Sequence, residues 1–336
     1  MFAIYNNALH LTSISILQSS SSNLRRQLGN GNGNGKNGNG NGNGNGNDKK
    51  MNAPCTLLLR ASDFGGNQKK QDNFEWFCEL DPVDNNGKKG HIVPFSEKKK
   101  FKKNQKIPGG GRFESGTTTL HGNITIKNGK VFINGNPQFG RRNNNKNNAN
   151  RSGRHLSETN KSVLVIRVEA NDGSTSSSAA ETAEEIFGIG GNDVFNLASG
   201  YTGCSYGKLN FSPAIHSGVN DGVYTMVLNE TVASKSMSYV QGKVVEAAEG
   251  VFGDLPSKFD YVMICTPPLA GDNGIAYAYI NHWLSVYQDD WCNYPSAQIH
   301  ELGHNLGLAH SNEATQYDDQ TGMVSTILRI TDIALE

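Results

Sequence analysis

The chain has 336 residues, which is the length of about two average domains. It carries 31 Lys and Arg against 31 Asp and Glu, so the formal net charge is zero and no overall positive field favours nucleic acid or an anionic membrane as a partner. Its apolar runs, such as residues 163–168 and 261–265, are far shorter than the ~20 residues that a membrane-spanning helix needs, which excludes a transmembrane protein.

The first 52 residues are predicted to add little to a folded core. Residues 29–47 are almost pure Gly-Asn alternation, a composition that cannot offset the entropy lost on ordering and that predicts a flexible tether. Residues 8–17 (ALHLTSISIL) have the length of the apolar part of a secretory signal. They lack a basic start and contain three hydroxyl side chains, so the sequence leaves open whether they are a signal segment.

Residues 53–140 contain short apolar runs that Gly, Asn and Lys clusters interrupt, which predicts a β-rich block. Residues 141–160 are rich in Asn and Arg. This composition is typical of a linker, and the alternative is a cleavage site between a pro-segment and a mature enzyme.

Residues 161–336 form the longer and more apolar block. Short apolar runs predict strands at residues 163–168, 209–215, 223–228 and 259–265, and apolar residues at helical spacing predict a helix over 232–252. These elements predict a mixed α/β (α+β) fold, with helices packed on a mixed sheet.

Residues 274–280 (GIAYAYI) alternate between larger and smaller side chains, which predicts another strand. Such a strand suits the edge of the sheet, where its free backbone groups would pair with an extended peptide. The alternative is an ordinary strand inside the sheet.

The five cysteines show no Cys-x-x-Cys spacing, which argues against a thiolate zinc site or a redox centre. In an oxidising compartment we expect two pairs and one leftover thiol. Cys55 with Cys78 and Cys265 with Cys292 are the pairings we consider, although sequence alone does not assign connectivity. A free thiol of Cys55 or Cys78 as a metal ligand is the alternative for the first pair.

The motif of chemical interest is SAQIHELGHNLGLAHS at residues 296–311. Ser296 is a candidate N-cap of a helix that places His300 and His304 one turn apart on the same face, where one Zn²⁺ can bind both. Glu301 lies about 100° around that helix from His300 and reaches a metal-bound water without being a ligand.

Gly307 governs whether a third histidine joins the site. If the helix continued through His310, that imidazole would lie on the opposite side from His304. A glycine readily adopts a positive φ and ends the helix, so the chain can turn back and His310 can supply the third ligand. Three imidazoles and a water form an open catalytic zinc site, in which Glu301 acts as general base and then as general acid.

The pattern His-Glu-x-x-His-x-x-Gly-x-x-His resembles that of the metzincin clan of zinc endopeptidases. Ser311, directly after the third histidine, is similar to the matrixin and gametolysin variants of the pattern. Further segments resemble the gametolysin family, namely residues 203–211, 276–281, 283–287, 290–292 and 317–323. The resemblance covers most of residues 163–323, about half of the chain.

By position, the resemblance implies that His300, His304 and His310 hold one catalytic Zn²⁺ and that Glu301 is the catalytic base. It implies that Met323 lies at the Met-turn, where its thioether forms a soft floor beneath the imidazoles. Residues 53–140 resemble the family's pro-region. The resemblance thus implies a secreted, latent precursor whose substrates are proteins of the extracellular matrix or cell-wall glycoproteins.

After Met323 the sequence departs from the family pattern and stops at Glu336, which predicts a truncated peptidase domain. The alternative to an active endopeptidase is therefore a catalytically inactive module of the same fold, with a binding or structural role.

Two further expectations concern small ligands and modification. Acidic side chains in Gly-rich loops are candidate Ca²⁺ ligands or ordinary turn residues, namely Asp221, Asp272, Asp289 and Asp290. Five Asn-x-Ser/Thr sequons suggest a glycoprotein, at Asn123, Asn150, Asn160, Asn210 and Asn229.

Overall fold

A computed structural model of the protein describes residues 49–51, 55–64, 74–80, 92–96, 113–141, 159–191, 195–308 and 310. All of them lie in one compact unit, Gly46–Glu336. The expected signal segment and tether, most of the Asn/Arg-rich linker, Met323 and the expected truncation after it lie outside the described residues. No helix in the described part of the chain is long and apolar enough to cross a membrane.

The amino-terminal block is built from strands, as its short apolar runs predict. They are β1 (Lys49–Met51), β2 (Cys55–Phe64), β3 (Phe74–Leu80), β4 (Ile92–Pro94), β5 (Thr118–Lys127) and β6 (Lys130–Arg141).

The block from residue 159 onward mixes strands and helices. The strands are β7 (Thr159–Ala170), β8 (Gly173–Ser174), β9 (Leu209–Pro213), β10 (Val223–Leu228), β11 (Tyr261–Thr266), β12 (Gly274–Tyr279) and β13 (Leu284–Gln288). The helices are α1 (Ala179–Phe187), α2 (Leu197–Cys204), α3 (Met237–Phe252), α4 (Leu255–Lys258) and α5 (Pro295–Asn305), with a 3₁₀ helix at Asp289–Asn293. This confirms the predicted mixed α+β fold.

The strands of both blocks belong to one mixed sheet. Its main path runs β1-β5-β2-β12-β13-β11-β7-β10. Strand β7 is parallel to β10 and β11, and β11 is parallel to β13, whereas β12 is antiparallel to both of its neighbours, β13 and β2. The two blocks therefore join through the β2–β12 pairing.

Strand β7 is buried on both faces, which explains its uninterrupted apolar run. Leu164 and Ile166 pack on one side with the apolar face of α3, and Val163 and Val165 pack on the other with α5. Alternate residues of a strand point to opposite faces, so one strand serves two cores. The second of these cores positions α5, the helix that carries the His-Glu-x-x-His motif.

Three local predictions differ from the structure. The helix predicted over 232–252 begins only at Met237, because Asp172 accepts hydrogen bonds from the backbone N–H groups of Val232 and Ala233 and the Ser236 side chain caps the helix. Ser296 is not an N-cap, since α5 begins at Pro295. The edge-strand interpretation of residues 274–280 is wrong for the full chain, because β2 pairs with the outer side of β12.

Candidate metal centre

Helix α5 begins with Pro295, a residue suited to the first helical position because the N–H that proline lacks would have no partner within the helix. All of its residues are buried, from Pro295 to Asn305. The side-chain amide of Asn305 donates to the carbonyl oxygens of Tyr279 and Leu284, both at 3.0 Å. These two bonds fix the end of α5 against β12 and β13.

The helix ends at Asn305, and after the C-cap residue Leu306 the chain turns at Gly307, whose φ is +98°. The backbone N–H of Gly307 donates to the carbonyl of His304, and that of Leu308 donates to the carbonyl of Gly303, both at 2.9 Å. A residue with a side chain rarely adopts such a φ, so glycine permits this turn. The turn brings His310 back towards α5.

The imidazoles of His300, His304 and His310 converge on one point. Their Nε2 atoms form a triangle in which each of the three separations is 3.1 Å. All three side chains are buried. Two nitrogens bound to one tetrahedral Zn²⁺ at about 2.0–2.1 Å would lie about 3.3 Å apart, so the observed triangle fits a shared ion.

Hydrogen bonding alone does not account for this triangle. Each imidazole Nε2 is either a donor or an acceptor, and among three atoms with two roles at least two have the same role. At least one of the 3.1 Å contacts therefore brings two donors or two acceptors together. A cation bound by all three as acceptors removes this conflict.

His304 is prepared to act as a neutral ligand. Its Nδ1 lies 2.9 Å from the carbonyl oxygen of Leu308, to which it donates, and this leaves Nε2 as the unprotonated nitrogen. Burial lowers the pKa of His304 to about 3, and the neighbouring His300 and His310 contribute to the decrease. The imidazole is thus neutral over the ordinary pH range.

A fourth side chain, which sequence analysis missed, completes the cluster. Asp63 of β2 is buried, with Oδ2 3.2 Å from Nε2 of His300 and Oδ1 3.8 Å from Nε2 of His310. The candidate ligand atoms of Asp63, His300, His304 and His310 all lie within 4.8 Å of one another. No sequence motif marks Asp63, since only the fold brings β2 to α5.

The contacts of Asp63 favour the ionised form of its carboxyl group. Burial alone raises the pKa of Asp63, but the charge and hydrogen bond of His300, and then the charge of His310, lower it well below the usual aspartate range. A carboxylate and three imidazoles form the oxygen and nitrogen donor set that Zn²⁺ binds.

Glu301 lies beside these groups and interacts with the carboxyl group of Asp63. Its side chain is fully buried, and neither of its carboxylate oxygens has a hydrogen-bond donor among the described residues. Burial raises the pKa of Glu301 well above the usual range, and the nearby Asp63 carboxylate raises it further. A buried carboxylate without a donor is suited to exchange protons with a reacting group.

The cysteines lie outside this cluster. The structure joins Cys55 to Cys78 and Cys265 to Cys292 in disulfides, and leaves Cys204 as an exposed thiol. Because both sulfurs of the first pair are bonded, neither supplies a thiolate to the metal centre, and the alternative of a free thiol is not supported.

The expected calcium site is not supported either. Asp272 accepts backbone hydrogen bonds from Met237 and Gly274, and Asp289 accepts from Ser176, which are turn and capping contacts. Within the described residues, the Asp63 and histidine cluster is the one group of three or more side chains able to share an ion.

Comparison with known protein families identifies a match for the carboxyl-terminal block. The family model of the gametolysin peptidase M11 matches residues 162–327, the segment that holds the three histidines and Glu301. No curated protein and no solved structure matches the chain.

Proposed function

Residues 162–327 belong to the gametolysin peptidase M11 family, and from this premise we propose that the protein is a secreted zinc endopeptidase acting on extracellular or cell-wall glycoproteins. The family establishes a metallopeptidase. The zinc identity, the endopeptidase activity, the substrates and the roles of individual residues are our proposal.

The observation that carries the proposal is the triangle of Nε2 atoms with 3.1 Å sides, next to the buried carboxylate of Glu301. We assign His300, His304 and His310 as the metal ligands. A Zn²⁺ ion held there would polarise the carbonyl of the scissile peptide bond and acidify a water molecule.

Glu301 performs the proton transfers in the proposed reaction. Its carboxylate accepts a proton from the attacking water and delivers it to the nitrogen of the departing amine, so the carboxylate is regenerated. Burial raises the pKa of this carboxylate, which makes it a stronger base than an exposed glutamate.

Hydrogen bonds from neighbouring segments position α5, the helix that carries His300, Glu301 and His304. The backbone N–H of Asn281 donates to the carbonyl of His304 at 2.9 Å, and Tyr201 donates its hydroxyl to the carbonyl of Ile299 at 2.8 Å. These contacts connect the backbone of α5 to the segment after β12 and to α2. Met323 is the proposed Met-turn residue.

We propose that substrate lies along β12. This strand contacts α5 through the Tyr279–Asn305 hydrogen bond, so an extended peptide that took the place of β2 on its outer side would pass the histidines. Secretion is supported by the two disulfides, since such bonds persist in oxidising compartments.

The test compares wild type with Glu301→Gln. Each zinc-loaded full chain is nicked by limited proteolysis in the 142–158 linker, assayed on casein, and analysed for metal. We expect wild type to cleave casein, a chelator to abolish cleavage, and Glu301→Gln to retain zinc but lose about 10²- to 10⁴-fold in rate.

The matched control is Glu246→Gln, which removes an exposed carboxylate from α3 on the opposite face of the sheet and should leave the rate unchanged. If nicked wild type binds zinc but is as inert as Glu301→Gln, the alternative of a non-catalytic module replaces the proposed function.

A further inference from the structure

Strand β2 covers the side of β12 that the proposed function assigns to substrate. The two strands are antiparallel, with Asp63 opposite Ala276 and Arg60 opposite Tyr279. The pairing continues past the strand, since the N–H of Ile280 donates to the carbonyl of Leu59 at 2.9 Å. The amino-terminal block thus uses the backbone groups that an extended substrate would need.

The pairing also directs one side chain of β2 into the metal centre. The register between β2 and β12 shifts between Gly274 and Ala276, at the position of Asp63. Register shifts of this kind alter the direction in which a side chain points. Asp63 consequently reaches His300, with 3.2 Å between Oδ2 and Nε2.

We propose that Asp63 is the fourth ligand of the metal in the full chain, supplied by the amino-terminal block to keep the centre closed. Catalytic zinc sites have three protein ligands and one open position, whereas four protein ligands form a closed site. With Asp63 bound, the position that catalysis needs is taken by a carboxylate. This inference rests on the proposed function.

The block is held in this position by contacts on the far side of the strand pair. The guanidinium of Arg60 donates to Ser238 at 2.6 Å and to Glu75 at 2.9 Å, and it stacks over the rings of Phe77 and Tyr277 at 4.5 and 4.7 Å. Arg60 thus connects β2 and β3 to β12 and to α3. These contacts fix the position of the amino-terminal block against β12 and α3.

The experiment uses the full, uncleaved chain with Asp63→Asn and Asp63→Ala. Metal affinity is measured by competition with a chelator, and the coordination is monitored by the visible absorption spectrum of the Co²⁺-loaded protein. We expect both variants to bind metal at least ~10-fold more weakly than wild type, with a changed Co²⁺ spectrum.

The matched control is Glu114→Gln, which removes an exposed carboxylate of the same block and should change neither metal affinity nor cleavage. Asp63→Asn keeps the shape of the side chain, so it tests the inference if Asp63→Ala does not fold. Melting curves establish that each variant is folded.

Equal metal affinity and equal Co²⁺ spectra in wild type and Asp63→Asn would overturn the inference. The proposed function is tested separately, by measuring casein cleavage by nicked wild type. If the Asp63 variants bind metal more weakly but no form of the protein cleaves casein, Asp63 is a ligand and the proposed function is wrong.

Discussion

Oδ2 of Asp63 lies 3.2 Å from Nε2 of His300, which places a strand of the amino-terminal block in contact with the helix that carries the histidines. Both side chains are buried. Ionised carboxylates are rarely buried without a partner, so this contact ties the placement of β2 to the electrostatics of the metal centre. We therefore expect substitutions that move a side chain of this cluster to change the metal affinity.

Gly307→Ala should weaken metal binding. An alanine at φ +98° is strained by about 1–2 kcal/mol, while its Cβ would meet no atom closer than the Cβ of Asn281 at 3.9 Å. The strain favours a different turn and so displaces His310. We expect a loss of about 5- to 30-fold in metal affinity, measured by chelator competition.

The control for this substitution is Gly242→Ala, in the middle of α3. An added Cβ there meets nothing within 4 Å, and alanine favours helix over glycine by up to about 1 kcal/mol. The variant should be slightly more stable, with unchanged metal affinity. Equal metal affinity in Gly307→Ala and wild type would contradict the role of Gly307.

Removing the Cys265–Cys292 disulfide should destabilise the fold. The bond joins β11 to the 3₁₀ helix just before α5 and closes a loop of sequence separation 27. Loop-closure entropy predicts a loss of about 3–4 kcal/mol in the free energy of unfolding. Urea unfolding of the Cys265→Ser/Cys292→Ser double variant measures it.

Cys204→Ser serves as the control variant, because the Cys204 thiol is exposed and forms no disulfide. Its free energy of unfolding should stay within about 0.5 kcal/mol of that of wild type. A double variant as stable as Cys204→Ser would show that the disulfide does not constrain the chain.

Asp260 should make stability depend on pH. It accepts hydrogen bonds from Lys161 Nζ at 2.8 Å and from the backbone N–H of Ser162 at 3.0 Å. Partial burial opposes ionisation, but these bonds prevail and lower the pKa of Asp260. Since the folded pKa is the lower one, the stabilisation is present above about pH 4 and is lost as pH falls through the lowered value.

Melting temperatures of wild type and Asp260→Asn, recorded from pH 7 to pH 2, test this dependence. Chelator is present throughout, so that loss of metal at low pH does not contribute. Wild type should melt higher at pH 7, and the two curves should converge in acid. If the melting temperatures of the two proteins differed by the same amount at every pH, the ionisation of Asp260 would not be the cause.

The sequence predicted the histidine cluster because its geometry is local. His300 and His304 are one helical turn apart, and Gly307 supplies the turn that returns His310. Helical spacing and the conformational freedom of glycine are properties of short segments, so they can be read without knowing the rest of the fold.

Asp63 could not be predicted in this way. Its place depends on which strand pairs with β12 and on the register of that pair, and neither depends on residues near Asp63. The edge-strand prediction failed for the same reason. The alternation in residues 274–280 is compatible with a covered or an uncovered strand, and only the location of β2 decides between them.

The Ser296 prediction failed for a more local reason. A serine that follows a proline fits the usual N-cap preference, but Pro295 itself suits the first turn of the helix. The helix therefore starts at Pro295, two residues earlier than an N-cap at Ser296 implies, and Ser296 lies inside it and is buried. Sequence preferences for adjacent positions compete, and packing against the sheet settles the outcome.

The Cys55–Cys78 disulfide links β2 directly to its neighbour β3. A protease that cut the peptide bonds between Gly65 and Asn73 would leave the two fragments tethered through sulfur. Asp63 would then remain attached to the nicked molecule until a reductant broke the cross-link. Dissociation after such a cut would thus depend on the thiol–disulfide potential of the surroundings, whereas after a cut beyond Arg141 neither disulfide joins the block to the rest of the molecule.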